Sequence, residues 1–242
     1  MNFRHDECEA MTLALWNRDV TKRRDYASML GAFLPKLFKF RGHFAMVHGE
    51  PLLEALRKGF GDRTFTDTVL PLYVVATELA TGQQATLADG RIVDAVRASI
   101  AIPYIWEPWE VNGKLLLDGC LSAPLPVDVA IKEGADVILA MGFESPYPRR
   151  IRSATSYAFH VNSIYTNNLF RANYSFHNLA HHAEIIPIVP EFGEPVNLFD
   201  THKFGHVIAC GARAAEEQLP YLQQLLGEPA PATSAAETTR AQ

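Results

Sequence analysis

Leu115-Leu116-Leu117-Asp118-Gly119-Cys120 is the centre of the stretch that decides the fold, SIAIPYIWEPWEVNGKLLLDGCLSAPLPVDVAIKEGADVILA, residues 99–140. Three consecutive leucines read as a short buried strand that ends on a carboxylate. The glycine after it lets the backbone turn sharply, which stands Asp118 at the open end of a sheet. Strand ends of this kind are where α/β proteins place their chemistry. Beyond the turn, Pro124 and Pro126 bracket a short loop and Val127 to Glu133 begins a helix. Gly134 caps that helix, and Ala135 to Ala140 starts another strand.

Working outward, 242 residues suit one α/β domain with extensions. Apolar residues at 48% and charged residues at 20% give an ordinary globular balance with enough material for a core. With 27 acids against 22 bases the net charge is −5, which points away from nucleic acid as a partner. No apolar run is long enough to span a bilayer, and the polar start Met1-Asn2-Phe3-Arg4-His5-Asp6 lacks the apolar core of a signal peptide. Cys8, Cys120 and Cys210 lie far apart, which suits neither a disulfide framework nor a zinc site and places the chain in the reducing cytoplasm.

Upstream of the central stretch, residues 5–34 read as helical, with a break at Asn17-Arg18-Asp19, and residues 1–49 form a helical N-terminal segment. Lys36-Leu37-Phe38-Lys39-Phe40-Arg41 has two readings: a peripheral contact with a membrane surface, or a helix end whose lysines snorkel over phenylalanines. Pro51 near the first turn starts a helix that stops around Gly59 to Asp62. Leu72 to Thr77 is a buried strand, with Gln84 to Leu87 as its hairpin partner. Ile92 to Ser99 is a helix ending before Pro103. Downstream, a long helix starts near Ala154, and Tyr157, Val161, Ile164, Leu169, Ala172, Phe176 and Leu179 form its expected apolar face. Ile185 to Pro190 is a short strand whose prolines favour a sheet edge. Val207 to Leu226 is a helix interrupted by or restarting at Pro220. Residues 50–227 form the α/β core, and from Glu228 the composition is that of a disordered tail, residues 228–242.

Several of these segments together resemble the patatin-like phospholipase family of bacterial type: Val74-Val75-Ala76-Thr77-Glu78-Leu79-Ala80-Thr81-Gly82, Ala95-Val96-Arg97-Ala98-Ser99-Ile100-Ala101-Ile102-Pro103, and the Asp-Gly-Gly or Asp-Gly-Ala motif, here Asp118-Gly119-Cys120. The likeness covers about residues 50–142. It implies a partial three-layer α/β/α domain, hydrolysis of carboxylic esters of lipids, no metal or organic cofactor, and Asp118 as the aspartate of a Ser–Asp dyad. Such an enzyme also needs a serine on a G-x-S-x-G elbow and backbone N–H groups for the oxyanion. Neither a G-x-S-x-G nor a Gly-Gly-Gly loop occurs in the 242 residues. In the family both precede the segment that Met1 begins, so the resemblance starts just after the elbow and implies a fragment inactive on its own. The alternative is a non-catalytic relative that binds an acyl ligand or a protein partner.

Other residues compete for chemical roles. Ser99 lacks the flanking glycines of an elbow, and Ser122 sits four residues past Asp118 in the same loop. Cys120 reads as a buried or semi-buried small thiol, or as a reactive one if its proton were lost. Asp128 and Asp136 match family positions, but capping or surface roles explain them. His177 and His181 share a helix face at i, i+4 and sit beside His182. With Asn178 after His177 and no third ligand signposted, they read as solvated histidines in preference to a zinc site. Two geometric expectations follow. Leu72–Ala76, Lys114–Leu117 and Asp136–Met141 should neighbour one another in one parallel or mixed sheet. Asp118 should line a cavity walled by Ile102, Tyr104, Ile105, Trp106 and Trp109, unless these aromatics pack the core instead.

Overall fold

The computed structural model describes residues 45–145, 147, 150–194, 196 and 200–227, together with residues 9, 10, 12, 13, 20 and 24–26. The helical reading of residues 5–34 lies largely outside the described residues; the run Lys36 to Arg41 and the tail from Glu228 lie wholly outside them.

Helix α1 (Glu50–Phe60) carries Pro51 in its first turn and buries Leu52, Leu53 and Leu56. It stops at Gly61, whose φ of 61° closes the end through an N–H bond to the Arg57 carbonyl. Strands β1 (Val74–Glu78) and β2 (Gln84–Leu87) form the expected hairpin, in register from Val74 opposite Leu87 to Thr77 opposite Gln84. Helix α2 (Ile92–Ser99) buries Ile92, Val93, Ala95, Arg97 and Ala98. A second hairpin joins β3 (Trp109–Val111) to β4 (Lys114–Asp118) through Asn112 and Gly113, at φ 52° and 76°. That Asn-Gly pair matches the left-handed backbone that two-residue hairpin turns require.

β4 lies antiparallel to β1, with Ala76 opposite Asp118, Thr77 opposite Leu117 and Glu78 opposite Leu116. The sheet order is β2-β1-β4-β3, antiparallel throughout. Helix α3 (Val127–Lys132) leads to β5 (Val137–Met141), and the long helix α4 (Ala154–Ala180) crosses over to β6 (Glu184–Ile188). β5 and β6 pair in parallel, the arrangement a helical crossover permits. Helix α5 (Phe204–Leu226) follows and runs continuously through Pro220, so the expected interruption is absent. The whole is a mixed α/β fold of the three-layer patatin-like kind.

The single-sheet expectation needs correction. β1 and β4 are neighbours as expected, but β5 sits in a separate two-stranded sheet with β6. Both edges of β1 are taken, by β2 and β4, and β4 lies between β1 and β3. Short hairpins also made the first sheet antiparallel. Helix α3 links the two sheets: Val129 packs with Val75 and Ala123, while Val127 packs with Ile138, Ala140, Phe170 and Ile185.

The face of α4 is also corrected. Asn167 and Phe170 are its buried residues, whereas Tyr157, Ile164, Phe176 and Leu179 from the expected apolar face are exposed. Two contacts set this rotation. The Asn167 side chain donates to the Ser145 carbonyl and accepts from its N–H, both at 2.9 Å. Phe170 lies over Gly142, where any side chain would strike its ring.

Candidate active site around Asp118

Asp118 ends β4 as expected and is half-buried. Its backbone is held on both sides. The Asp118 N–H donates to the Ala101 carbonyl at 3.1 Å, and Thr77 Oγ1 donates to the Asp118 carbonyl at 2.8 Å. The chain then enters a single 3-10 turn, Gly119–Leu121, in which the Cys120 N–H donates to Asp118 Oδ1 at 2.8 Å. Gly119 is buried with its α-carbon against the Val75 carbonyl, and a methyl there would collide with it. The glycine is thus required by the close approach of the turn to β1.

Burial raises the Asp118 pKa above the ordinary aspartate value, and the Cys120 N–H opposes that shift without reversing it. The Cys120 thiol also hydrogen-bonds the carboxylate, which lowers the Asp118 pKa in the same direction as the N–H. A carboxylate of raised basicity suits a general base.

The candidate hydroxyls Ser99 and Ser122 are engaged elsewhere. Ser99 Oγ donates to the Val75 carbonyl at 2.7 Å, a strut between α2 and β1. Ser122 Oγ lies 2.7 Å from Thr77 Oγ1, whose own proton goes to Asp118, so Ser122 is the donor of that pair. Cys120 is exposed, correcting the expectation of a buried or semi-buried thiol. The surrounding protein and the Asp118 carboxylate push its pKa up to about 12. Direct repulsion by the carboxylate gives the upward direction even where the thiol meets solvent, so the reactive-thiolate reading has no support.

Four of the five expected wall residues pack in or against the core instead. Ile105 and Trp106 are buried with Leu52, Leu53, Leu56 and Val93, and Ile102 and Trp109 lie against the same cluster. Trp109 Nε1 donates to Asp94 Oδ1 at 3.3 Å, and the Arg97 guanidinium lies 5.0 Å from the Trp109 ring centre. Tyr104 is exposed at φ 70° and meets Phe159 edge-on. A hollow of about 470 Å³ does exist, but Leu72, Tyr73, Val75, Pro126, Val129 and Ala130 are among its lining residues and Asp118 is not.

The remaining candidates have ordinary roles. Asp128, in the first turn of α3, accepts from Gln84 Nε2 at 3.2 Å and pairs with Lys132 at 3.2 Å. Asp136 is exposed and its carbonyl accepts from the Glu184 N–H. His177 and His181 stack with ring centres 5.7 Å apart, and burial lowers the pKa of His177. Among the described residues no three His, Cys, Asp or Glu side chains converge as a metal site. The sequence reading missed Thr77, whose β-branched identity in a strand looks like propensity alone, and the buried Arg97, paired with Glu107 at 2.9 Å.

The structure is an α/β domain with Asp118 on an Asp-Gly turn at the end of β4. The family profile described as patatin-like phospholipase matches residues 1–131, and the chain belongs to that family. The matched residues include 1–49 and stop inside α3. An uncharacterised NTE family protein of Mycobacterium tuberculosis (strain ATCC 25618 / H37Rv) is 35% identical over 96 residues, covering 40% of this chain and 27% of that protein. Patatin-like phospholipase domain-containing protein 7 of Rattus norvegicus is 29% identical over 121 residues, covering 48% and 9%. Patatin-like phospholipase domain-containing protein 6 of Homo sapiens is 28% identical over 130 residues, covering 52% and 9%. The matched region spans about a quarter of the mycobacterial protein and under a tenth of the mammalian ones.

Proposed function

We propose that this chain carries the aspartate half of a Ser–Asp dyad that hydrolyses carboxylic esters of lipids. The observation that supports it is the Asp118 carboxylate at the end of β4, fixed on Oδ1 by the Cys120 N–H and raised in pKa by burial. In the reaction Asp118 takes the proton of a serine hydroxyl as that oxygen attacks the ester carbonyl. Asp118 then gives that proton to the leaving alkoxide, which departs as the alcohol. Water attacks the acyl-serine as Asp118 takes its proton, and Asp118 returns the proton to the serine oxygen as the carboxylic acid leaves. The serine and the oxyanion donors come from polypeptide outside these 242 residues. The Cys120 thiol takes no part.

The test is hydrolysis of short-chain p-nitrophenyl esters by the purified chain, beside an Asp118→Ala variant. Losing the nucleophile of a serine hydrolase costs on the order of 10⁶ in turnover, so both should sit at background. Activity in the parent that the variant loses would overturn the proposal and place a nucleophile within the chain. A second reading, a non-catalytic binder of acyl ligands, is favoured by the apolar hollow between β1 and α3, which lies apart from Asp118. Retention of a fluorescent fatty acid that Val129→Trp blocks would support it.

A further inference from the structure

Helix α4 turns five large apolar or aromatic side chains to solvent on one face, with Asn168 and Ser175 also exposed between them. Tyr157, Ile164, Tyr165, Phe176 and Leu179 are exposed, Tyr165 at 70% and Leu179 at 87%. At 100° per residue they fall within an arc of about 120°, so they form one stripe about 33 Å long. A surface helix ordinarily sets charge on its outward face. This one has a single formally charged residue in 27, Arg171, tied to Glu144.

Residues 145–183 contain four arginines, no lysine and no aspartate or glutamate, with Glu144 and Glu184 bounding the run and Glu144 paired with Arg171. Arg150 and Arg152 are exposed just before the helix, and Ile151 between them is 45% exposed. Tyrosines with aliphatic and phenylalanine side chains on a helix that carries no acid, with Arg150 and Arg152 exposed just before it, match the interface of an anionic bilayer. A protein partner is less well matched, because nothing on the face offers paired charges or a pocket for an anchoring side chain.

We propose that the outward face of α4 is the surface by which the protein docks on anionic phospholipid membranes, with Arg150 and Arg152 meeting headgroups and the tyrosine–leucine stripe entering the interface. The choice of a lipid surface over other apolar partners rests on the lipid-ester reading above. The geometry of the face does not depend on Asp118.

The test is flotation of the purified chain with vesicles of phosphatidylcholine alone and with about one-third phosphatidylglycerol. The protein should float with the anionic vesicles, less so at high salt, and only weakly with phosphatidylcholine. Tyr165→Glu combined with Leu179→Glu should cut partitioning by about tenfold or more, and Arg150→Ala with Arg152→Ala should weaken it on anionic vesicles only. Phe176→Ser is a milder variant of the same face, and circular dichroism checks that each variant stays folded. Asp118→Asn should float like the parent, which separates this result from any failure of the dyad. The proposal fails if the parent does not bind, or if folded stripe variants bind as well as the parent. It also fails if light scattering shows a dimer that these variants split, since a second copy would then cover the face.

Discussion

A methyl group on Gly119 would run into the Val75 carbonyl, so the position of the Asp118 turn depends on a residue without a side chain. Gly119→Ala should cost about 1–3 kcal/mol, as overpacking at a rigid backbone contact does, and urea unfolding measures it. Asp118 itself gives a pH signature. Its pKa is raised in the folded chain, so its favourable contribution to folding is complete below the unfolded value of 3.8 and is lost as pH rises through the folded value. Asp118→Asn removes that loss while Oδ1 can still accept from Cys120. The variant should be more stable than the parent at neutral pH, with the difference vanishing toward pH 3, as read from urea midpoints across that range. A neutral-pH midpoint at or below the parent's would show that Asp118 is not held in an unfavourable ionised state.

At the scale of elements, the start of α1 rests on a buried ion pair between α2 and the loop before β3. Arg97 is fully buried, its Nη2 reaches Glu107 Oε1 at 2.9 Å, and a side chain on Gly49 would displace both groups. Glu107→Ala leaves the buried guanidinium without its carboxylate, keeping only the Glu107 carbonyl and the Trp109 ring, and should destabilise the chain by about 3 kcal/mol, measured by thermal or urea unfolding. Glu107→Gln, which keeps a hydrogen-bond acceptor, should cost less. The same elements show what the sequence could and could not reveal. Local patterns located α1, the β1–β2 hairpin, α2, β4 and Asp118 at its end, because turn residues and apolar runs act over a few positions. Asn112-Gly113 carried an equally local hairpin signal that went unread. The side of α4 facing the core was not legible, because helical periodicity gives a stripe but not its direction; the Asn167–Ser145 and Phe170–Gly142 contacts decide it over more than 20 residues of separation. The pairing of β5 with β6 is likewise a question of which strand edges are already occupied. The wall residues around Trp106 failed for a similar reason, since apolar composition does not distinguish a cavity lining from a packed core.

For the molecule as a whole, the fold and family are those of patatin-like phospholipases, while the hydrolytic chemistry proposed for it needs a serine that these residues do not supply. Among the described residues no helix is long and apolar enough to cross a membrane. On its own the chain should hydrolyse esters no faster than background, and adding Asp118→Ala should change nothing measurable. The most direct test of the central claim is labelling by a fluorophosphonate probe, which reacts with activated serines, applied to the product of the whole reading frame and to the 242-residue chain. The account predicts a labelled serine outside these 242 residues, loss of that label in Asp118→Asn, and no label on the chain alone. Labelling of Ser99 or Ser122, or labelling of an outside serine that survives Asp118→Asn, would contradict it.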